Sequence, residues 1–550
     1  MKIKNKKGVI SLVIAVFLTI AFFTYSVVIT HDSSHYLWLS NILGTENFSN
    51  WDIIRGFVFP SIIKFSSVFF GSTTNGLKFG MYIGYCMMIF ISYLIYKDSV
   101  GKEEFVSKKF KIITLIFFII MIALNPITFG YYHTLLTEFV AITIAIVFCY
   151  CAWKWMSVDF FENKIKYILY TIVFSIFTVI SWFLKQPYVG VVLFPILIAA
   201  FISIITNFNL KNIIQRAVTV MICMVVMVIG MKSWNAILKA NNVFMDESRN
   251  PAASFGDYVL NLSVSELDRN TYNYVDDSEK TFELEKGGYN FNIDIYESQM
   301  NNLTEESKKE INENKGKYKS FIIINNADGY DIIYNKKESA SLVNSMFYDI
   351  EYFFRHPIKV IARQVKNYLA ICNVYRIEFK GSQGTIPVYT NEVLGLTESN
   401  ENALIPNRIY NYKGENNFYL QEKLYPYAAS YIEVNTPVRF INSIMKRWFN
   451  VMTILVKACF LLLPFLLLVN VISLIKNIKK YDEKYKKISY LMLILYSYSF
   501  MHILAHSLIG SIIDRYTSPA IITAFIAVYI NVYLIIYNKN YMQNKMLNDK

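Results

Sequence analysis

Apolar blocks of roughly 18 to 25 residues recur along this chain, each long enough to cross a bilayer core of about 30 Å. That recurrence constrains the fold more than any motif does. We place about ten spans, at about 9–29, 76–96, 112–128, 137–156, 167–184, 188–206, 217–235, 449–475, 488–506 and 517–537. The composition agrees, with 54% hydrophobic residues and a mean hydropathy of +0.33 over 550 residues. A soluble chain of this length would normally divide into several domains with polar surfaces. The expectation is a polytopic α-helical protein of the cell membrane.

Charge then orients the spans. The net charge of +13 suggests nucleic acid at first sight. The basic residues instead form short clusters between apolar blocks, as positive-inside connections do, so no nucleic-acid partner is expected. Lys97, Lys102, Lys108, Lys109 and Lys111 form one such cluster, and Lys476, Lys479, Lys480, Lys484, Lys486 and Lys487 another. Lys154, Lys164, Lys166, Lys211 and Arg216 fall on the same side, as do both lysine-bearing termini. The short outer connections keep little beyond Arg55, Lys64, Lys185 and Arg515. Both termini are therefore expected in the cytoplasm. The apolar run after the basic start, Val9 to about Thr30, exceeds a signal-peptide core and lacks a small-residue cleavage site, so it reads as an uncleaved first span.

Three regions follow: a transmembrane module at 1–235 with a first outer loop at 30–75, an extracytoplasmic domain at 236–447 between the seventh and eighth spans, and a transmembrane module at 448–550. Within the first loop, Ile53 to Phe70 reads as a helix lying along the interface. Within the large domain, two β-type runs, Phe321–Ile324 and Tyr330–Tyr334, flank Ala327-Asp328-Gly329 and predict a hairpin. Ser341 to Tyr368 reads as amphipathic helix interrupted at Pro357, so a mixed α/β domain resting on the membrane is expected. Of six cysteines only Cys372 lies in that domain, which excludes an internal disulfide there.

No Walker-type loop, dinucleotide fingerprint or serine-hydrolase elbow is present, so no nucleotide cofactor is expected. Attention moves to polar residues at the outer mouths of spans. Asp32, in His31-Asp32-Ser33-Ser34-His35-Tyr36, stands where a carboxylate is costly unless solvated, paired or used. A membrane-edge Asp can deprotonate a sugar hydroxyl as a general base; the bland reading is a wet loop facing headgroups. His31 and His35, four apart, share a helix face and could hold a divalent metal, a requirement the sequence leaves open. Glu138 follows Tyr131-Tyr132-His133 and begins a span, where the helix dipole alone favours an acid. Lys185 could bind a phosphate or simply snorkel. Arg515, in Asp514-Arg515-Tyr516, opposes the positive-inside trend; guanidinium binds phosphate oxygens bidentately, though a turn-capping pair with Asp514 is the plainer account. All six histidines (His31, His35, His133, His356, His502 and His506) fall on the outer side or near outer ends of spans. His prefers interfaces to lipid, but the inner interface has none, which points to a polar chamber opening outward.

In the order and placement of these fragments the chain resembles the C-type (GT-C) membrane glycosyltransferases that use polyprenyl-phosphate sugars, among them protein O-mannosyltransferases and lipid A aminoarabinose transferases. The matching fragments are Asp32 and Tyr36, then Arg55 to Pro60, Leu136-Thr137-Glu138, Lys185 with Pro187, and Arg515-Tyr516 with Pro519. They cover about 1–235 and 449–537, not the large domain. The chain departs from the family in having Arg55-Gly56-Phe57 for Arg-Ser/Thr-Pro, Lys185-Gln186-Pro187 for Arg-Pro, and His31-Asp32 for the mannosyltransferases' Asp-Glu pair. The resemblance implies a lipid-linked sugar donor, a cell-envelope glycan, lipid or protein as acceptor, and inverting displacement. Asp32 would then be the base and Glu138 would position the acceptor or a cation. Arg515, Lys185 and Arg55 would offset charge on the departing phosphate. His31, His35, Tyr36, His133, His502, His506 and Tyr516 would be accessory. An O-antigen-type polymerase, working through outer arginines with Asp32 expendable, is the first rival. A lipid-linked glycan transporter would carry its ionisable groups at mid-membrane, and a wall-binding scaffold leaves the edge residues unexplained.

Overall fold

The computed structural model describes residues 6–24, 27, 31–52, 55–71, 74–100, 108–243, 320–326, 329–335, 354, 357–373, 439–477, 483–508 and 514–548. Among them the helices are α1 (Lys6–Thr24), α2 (His31–Ile42), α3 (Val58–Phe70), α4 (Thr74–Ser99), α5 (Lys108–Ala123), α6 (Pro126–Tyr131), α7 (Glu138–Met156), α8 (Lys164–Leu184), α9 (Gly190–Thr206), α10 (Leu210–Ala240), α11 (Pro357–Asn373), α12 (Arg439–Asn477), α13 (Glu483–Leu508) and α14 (Asp514–Asn548). Seven helices are long and apolar enough to cross a membrane, as a multi-pass helical membrane protein requires: α4, α7, α8, α10, α12, α13 and α14. Three other expected spans coincide with shorter apolar helices, Val13–Phe23, Phe110–Ala123 and Gly190–Thr206.

The expected span at 112–128 has to be corrected. Helix α5 stops at Ala123, and a new helix begins because the Asn125 side chain accepts from the amides of Ile127 and Thr128 at 3.1 and 3.3 Å, with Pro126 in the first turn. An Asn cap followed by Pro starts a helix, since Pro lacks the amide that the preceding helix would need.

The chain forms two compact units, Met1–Asn241 with Ile371–Ile503 and Ile513–Lys550, and Asn242–Ala370 with Leu504–Ile512. In the first, α7 is the hub: it packs against α4, α8, α9 and α14. Small residues make this possible. Ala141, Ala145 and Ala152 are fully buried and let neighbouring backbones approach, which is how helices associate where lipid offers no hydrophobic drive. At one end of α7 the buried Arg216 of α10 donates to the carbonyls of Trp155, Met156 and Val158 at 3.2, 2.9 and 3.1 Å. Its Nε reaches Ser203 and Asn212 at 3.1 and 3.2 Å, and the guanidinium lies 4.4 Å over the Trp155 ring. A cation thereby satisfies carbonyls that a helix C-terminus leaves orphaned. Nearby, Asp98 accepts from Tyr150 at 2.9 Å and pairs with Lys154 at 2.5 Å.

The rim is apolar and outward-facing. Met221, Val225 and Ile229 on α10, and Ile454, Leu462 and Phe465 on α12, are exposed, the distribution expected of a lipid-facing wall. Helix α3 buries Val58, Phe59, Pro60 and Ile63 while presenting Phe65, Val68 and Phe69, and packs on α2 and α4. Gly71 ends it at φ 92°, a conformation closed to most side chains.

In the second unit, β1 (Ser320–Asn326) and β2 (Gly329–Asn335) form an antiparallel pair in the register Ser320↔Asn335 to Asn326↔Gly329. This lies where the two β-type runs flanking Ala327-Asp328-Gly329 predict a hairpin. Residues 244–319, 336–353 and 374–438, and with them the expected mixed α/β character of 236–447, lie outside the described residues.

Candidate functional site

At the end of α7 away from Arg216, segments far apart in the sequence converge. Glu138 is the first residue of α7, and its side chain is fully buried. Thr137 Oγ1 donates to one carboxylate oxygen at 3.3 Å. The other oxygen lies 3.9 Å from the ammonium of Lys185, whose side chain is 11% exposed. Lys185 is extended (φ −170°, ψ 132°) between the end of α8 and a short 3-10 turn, Gln186–Val189, that Pro187 initiates. That break turns its side chain off the helix and toward α7.

Its ammonium also sits 4.4 Å over the ring of Tyr516, in the first turn of α14. A desolvated cation over an aromatic face is attracted by the ring quadrupole. Tyr516 is itself held from both sides. His502 Nε2 donates to its carbonyl at 2.7 Å, and Tyr188 meets its ring edge-on at 6.3 Å. His502 in turn stacks on Tyr498 at 5.5 Å.

The first loop joins the same place. Ser33 Oγ donates to the carbonyl of Leu135 at 2.7 Å, three residues before Glu138, so the start of α2 lies against the α6–α7 junction. The Arg55 guanidinium donates to Tyr36 Oη at 3.2 Å and lies 5.2 Å over that ring. Its backbone is fixed by Trp51 Nε1, which donates to Arg55 O at 2.9 Å, and by Arg55 N, which donates to Asp52 O at 3.0 Å. Gly56 follows, pressed against the backbone of Phe183; a Cβ there would come within 2.6 Å of Phe183 Cα. Only glycine fits, and this contact sets the Arg55 loop beside the segment leading to Lys185. Phe57 packs on Phe183 and Trp234 at 5.0 and 4.7 Å, and Trp51 on Trp234 at 5.7 Å.

Other expected residues are placed as follows. His35 faces Asp52, Nε2 to Oδ2 at 3.5 Å, and stacks on Trp38 at 5.7 Å. His133 is fully buried, its two ring nitrogens each 2.8 Å from a carbonyl, of Phe129 and Phe22. Burial, reinforced by the charge of Lys78, pushes this imidazole down to about 4 against the opposing pull of the two carbonyls. At neutral pH it is therefore no cation for a phosphate. His506 is buried in the second unit. The backbones of His31, Asp32 and Arg515 belong to α2 and α14, but their side chains lie outside the described residues, as does all of His356. Among the described residues no group of three His, Cys, Asp or Glu converges as metal ligands do.

Two residues here escaped the sequence reading. Lys78, nearly fully buried, donates to Phe23 O at 2.8 Å and, with His133 on Phe22 O, secures the end of α1 ahead of Asp32. It is a cation inside an apolar run at the expected outer end of a span, the same signal that marks Lys185. Asp52 has no such signal, because its partner is seventeen positions away. No family model matches the chain, and no curated protein or solved structure matches it.

Proposed function

We propose that the chain is a membrane glycosyltransferase that moves a sugar from a polyprenyl-phosphate donor to a cell-envelope acceptor on the outer face. The observation that carries the reading is the meeting of Glu138, Lys185 and Tyr516 from three distant segments at one end of the bundle. A buried ammonium held between a carboxylate and an aromatic face, with the Arg55 loop packed through Gly56 on the segment that leads to it, suits an anionic leaving group better than it suits packing alone, for which apolar residues of the same volume serve as well. Around it we place about ten spans in a C-type arrangement, with both termini cytoplasmic and the large domain extracytoplasmic.

In this reading Asp32 takes the proton of the acceptor hydroxyl as that oxygen attacks the anomeric carbon from the face opposite the phosphate. The bond from that carbon to the phosphate oxygen breaks, and polyprenyl phosphate leaves with the electron pair. Lys185, Arg515 and Arg55 offset the charge it gains, in a site where low dielectric strengthens each of them. Glu138 positions the acceptor, or a cation, and keeps Lys185 aimed. The hydroxyls and rings of Tyr36 and Tyr516 shape the walls around the two cations.

The test is transfer from radiolabelled polyprenyl-phosphate sugars by purified protein in liposomes, comparing wild type with Asp32→Asn and Arg515→Ala. Both variants are expected to lose about a hundredfold or more in rate while keeping the wild-type elution profile. A folded and fully active Asp32→Asn removes the base from the scheme. Failure of the wild type to consume any lipid-linked sugar removes the glycosyltransferase reading itself.

A further inference from the structure

Helix α11 carries an apolar stripe that is exposed among the described residues. Ile358, Ile361, Val365 and Leu369, spaced three and four apart, are 82%, 53%, 53% and 44% exposed, and Phe354 just before the helix is 75% exposed. That spacing puts them on one face. The sequence sets Lys359, Arg363 and Lys366 on the adjoining stripe, at the same helical period. The opposite side is already engaged. Asn367 is buried, its Nδ2 donates to the carbonyl of Ser507 at 3.1 Å, and Ile371 is fully buried; on the stripe's own face Cys372, three residues past Leu369, is fully buried and marks where the exposed stripe ends.

The position of Ser507 decides what the stripe meets. It is the last residue of the apolar run Lys486–Ser507, which is long enough to cross a membrane. The end of a span lies at the boundary between hydrocarbon and headgroups. A helix hydrogen-bonded to that residue lies at the same depth. There an apolar face costs nothing to expose to lipid, and lysine and arginine alongside it meet anionic headgroups. We propose that α11 is an interfacial anchor, its Ile358–Leu369 stripe sunk in the bilayer surface and its basic flank bound to anionic phospholipid. The occupant is thus the membrane of the molecule's own spans, which is present at high effective concentration and requires no separate encounter. This inference needs only the membrane-spanning character of α13 and is independent of the glycosyltransferase reading.

The unmodified full chain, reconstituted in phosphatidylcholine–phosphatidylglycerol liposomes with a photoactivatable diazirine phospholipid, provides the test. Mass spectrometry then locates the carbene adducts. Adducts are expected on Ile358, Ile361 and Val365 at yields within a few-fold of those on Met221 and Val225, which face outward from α10. A Lys359→Gln, Lys366→Gln double variant should lose several-fold of the α11 adducts in anionic liposomes, and little in pure phosphatidylcholine, with the α10 adducts unchanged in both. Background labelling of 354–369 alongside strong labelling of α10 overturns the proposal, because the stripe is then covered by protein or turned to water. Repeating the labelling with a water-soluble diazirine separates those two outcomes, and a strong signal from it on the stripe counts equally against the lipid anchor. If the double variant leaves α11 labelling unchanged in both lipid mixtures, the headgroup half of the proposal fails.

Discussion

Gly56→Ala tests the geometry of the candidate site most directly. The added Cβ would lie 2.5 Å from the carbonyl carbon of Phe183 and 2.6 Å from its Cα, closer still to the oxygen, where real Cβ contacts stay beyond 3.0 Å. All three atoms are backbone, so no rotamer change relieves the clash, and the Arg55 loop and the end of α8 must part by about 1 Å. Two consequences follow. Overpacking of this kind costs about 1–3 kcal/mol, readable as a lower melting temperature in detergent. In the proposed reading, where these groups act on one phosphate, a displacement of about 1 Å can lower turnover about a hundredfold. Gly80→Ala is the control. Its Cβ would meet the Ser66 side chain rather than backbone, 3.2 Å from Cβ and closer to a hydroxyl that can rotate away. The assays are thermal melting and the liposome transfer rate, with both variants side by side. If Gly56→Ala melts and turns over like wild type, or if Gly80→Ala is the more damaging of the two, the claim that backbone contact sets the Arg55 loop against the segment leading to Lys185 is wrong.

Three further outcomes are expected. Arg216→Met leaves the carbonyls of Trp155, Met156 and Val158 without their donor and should cost about 3 kcal/mol at roughly 1 kcal/mol each, seen as a lowered melting temperature; an unchanged one would show that water or lipid replaces the guanidinium. Asn125→Ala removes the cap of α6 and should destabilise by about 1 kcal/mol, whereas Asn125→Asp, which keeps an acceptor, should not. Lys185→Met strands the buried Glu138 carboxylate and should cost about 3 kcal/mol, most of it restored in Lys185→Met, Glu138→Gln; strictly additive losses in the double variant would mean that the 3.9 Å pair is not coupled.

What the sequence could reveal divides along physical lines. Long spans are legible because a bilayer imposes its thickness on local composition, and seven expected spans coincide with helices long and apolar enough to cross. The hairpin at Ser320–Asn335 is legible for a similar reason, since β-type runs and the turn residues between them are local. The stop at Ala123 was also written locally, in Asn125-Pro126, but the apolar run through Ile127 and Phe129 masked it. Glu138 and Lys185 could each be singled out from their place at a span's edge, yet not their contact, which depends on how α7 and α8 pack. Arg216 reads in the sequence as one more cytoplasmic cation, and only the packing of α7, α9 and α10 turns it into a cap. Likewise nothing local distinguishes Gly56 from any loop glycine until Phe183 is found against it.

The hub helix sets where compliance can reside. Arg216 grips one end of α7, the Glu138 junction fixes the other, and the small residues between leave no slack, so α7 serves as the stationary axle of the bundle. The apolar windows of α10 and α12 are each only 28% buried, against 67% for α7. Displacement is cheapest where the fewest contacts are given up. In the proposed reading a bulky isoprenoid entering sideways from lipid would be admitted by displacement of α12, while α10, tied to α7 through Arg216, and the carboxylate and ammonium stay fixed to the frame.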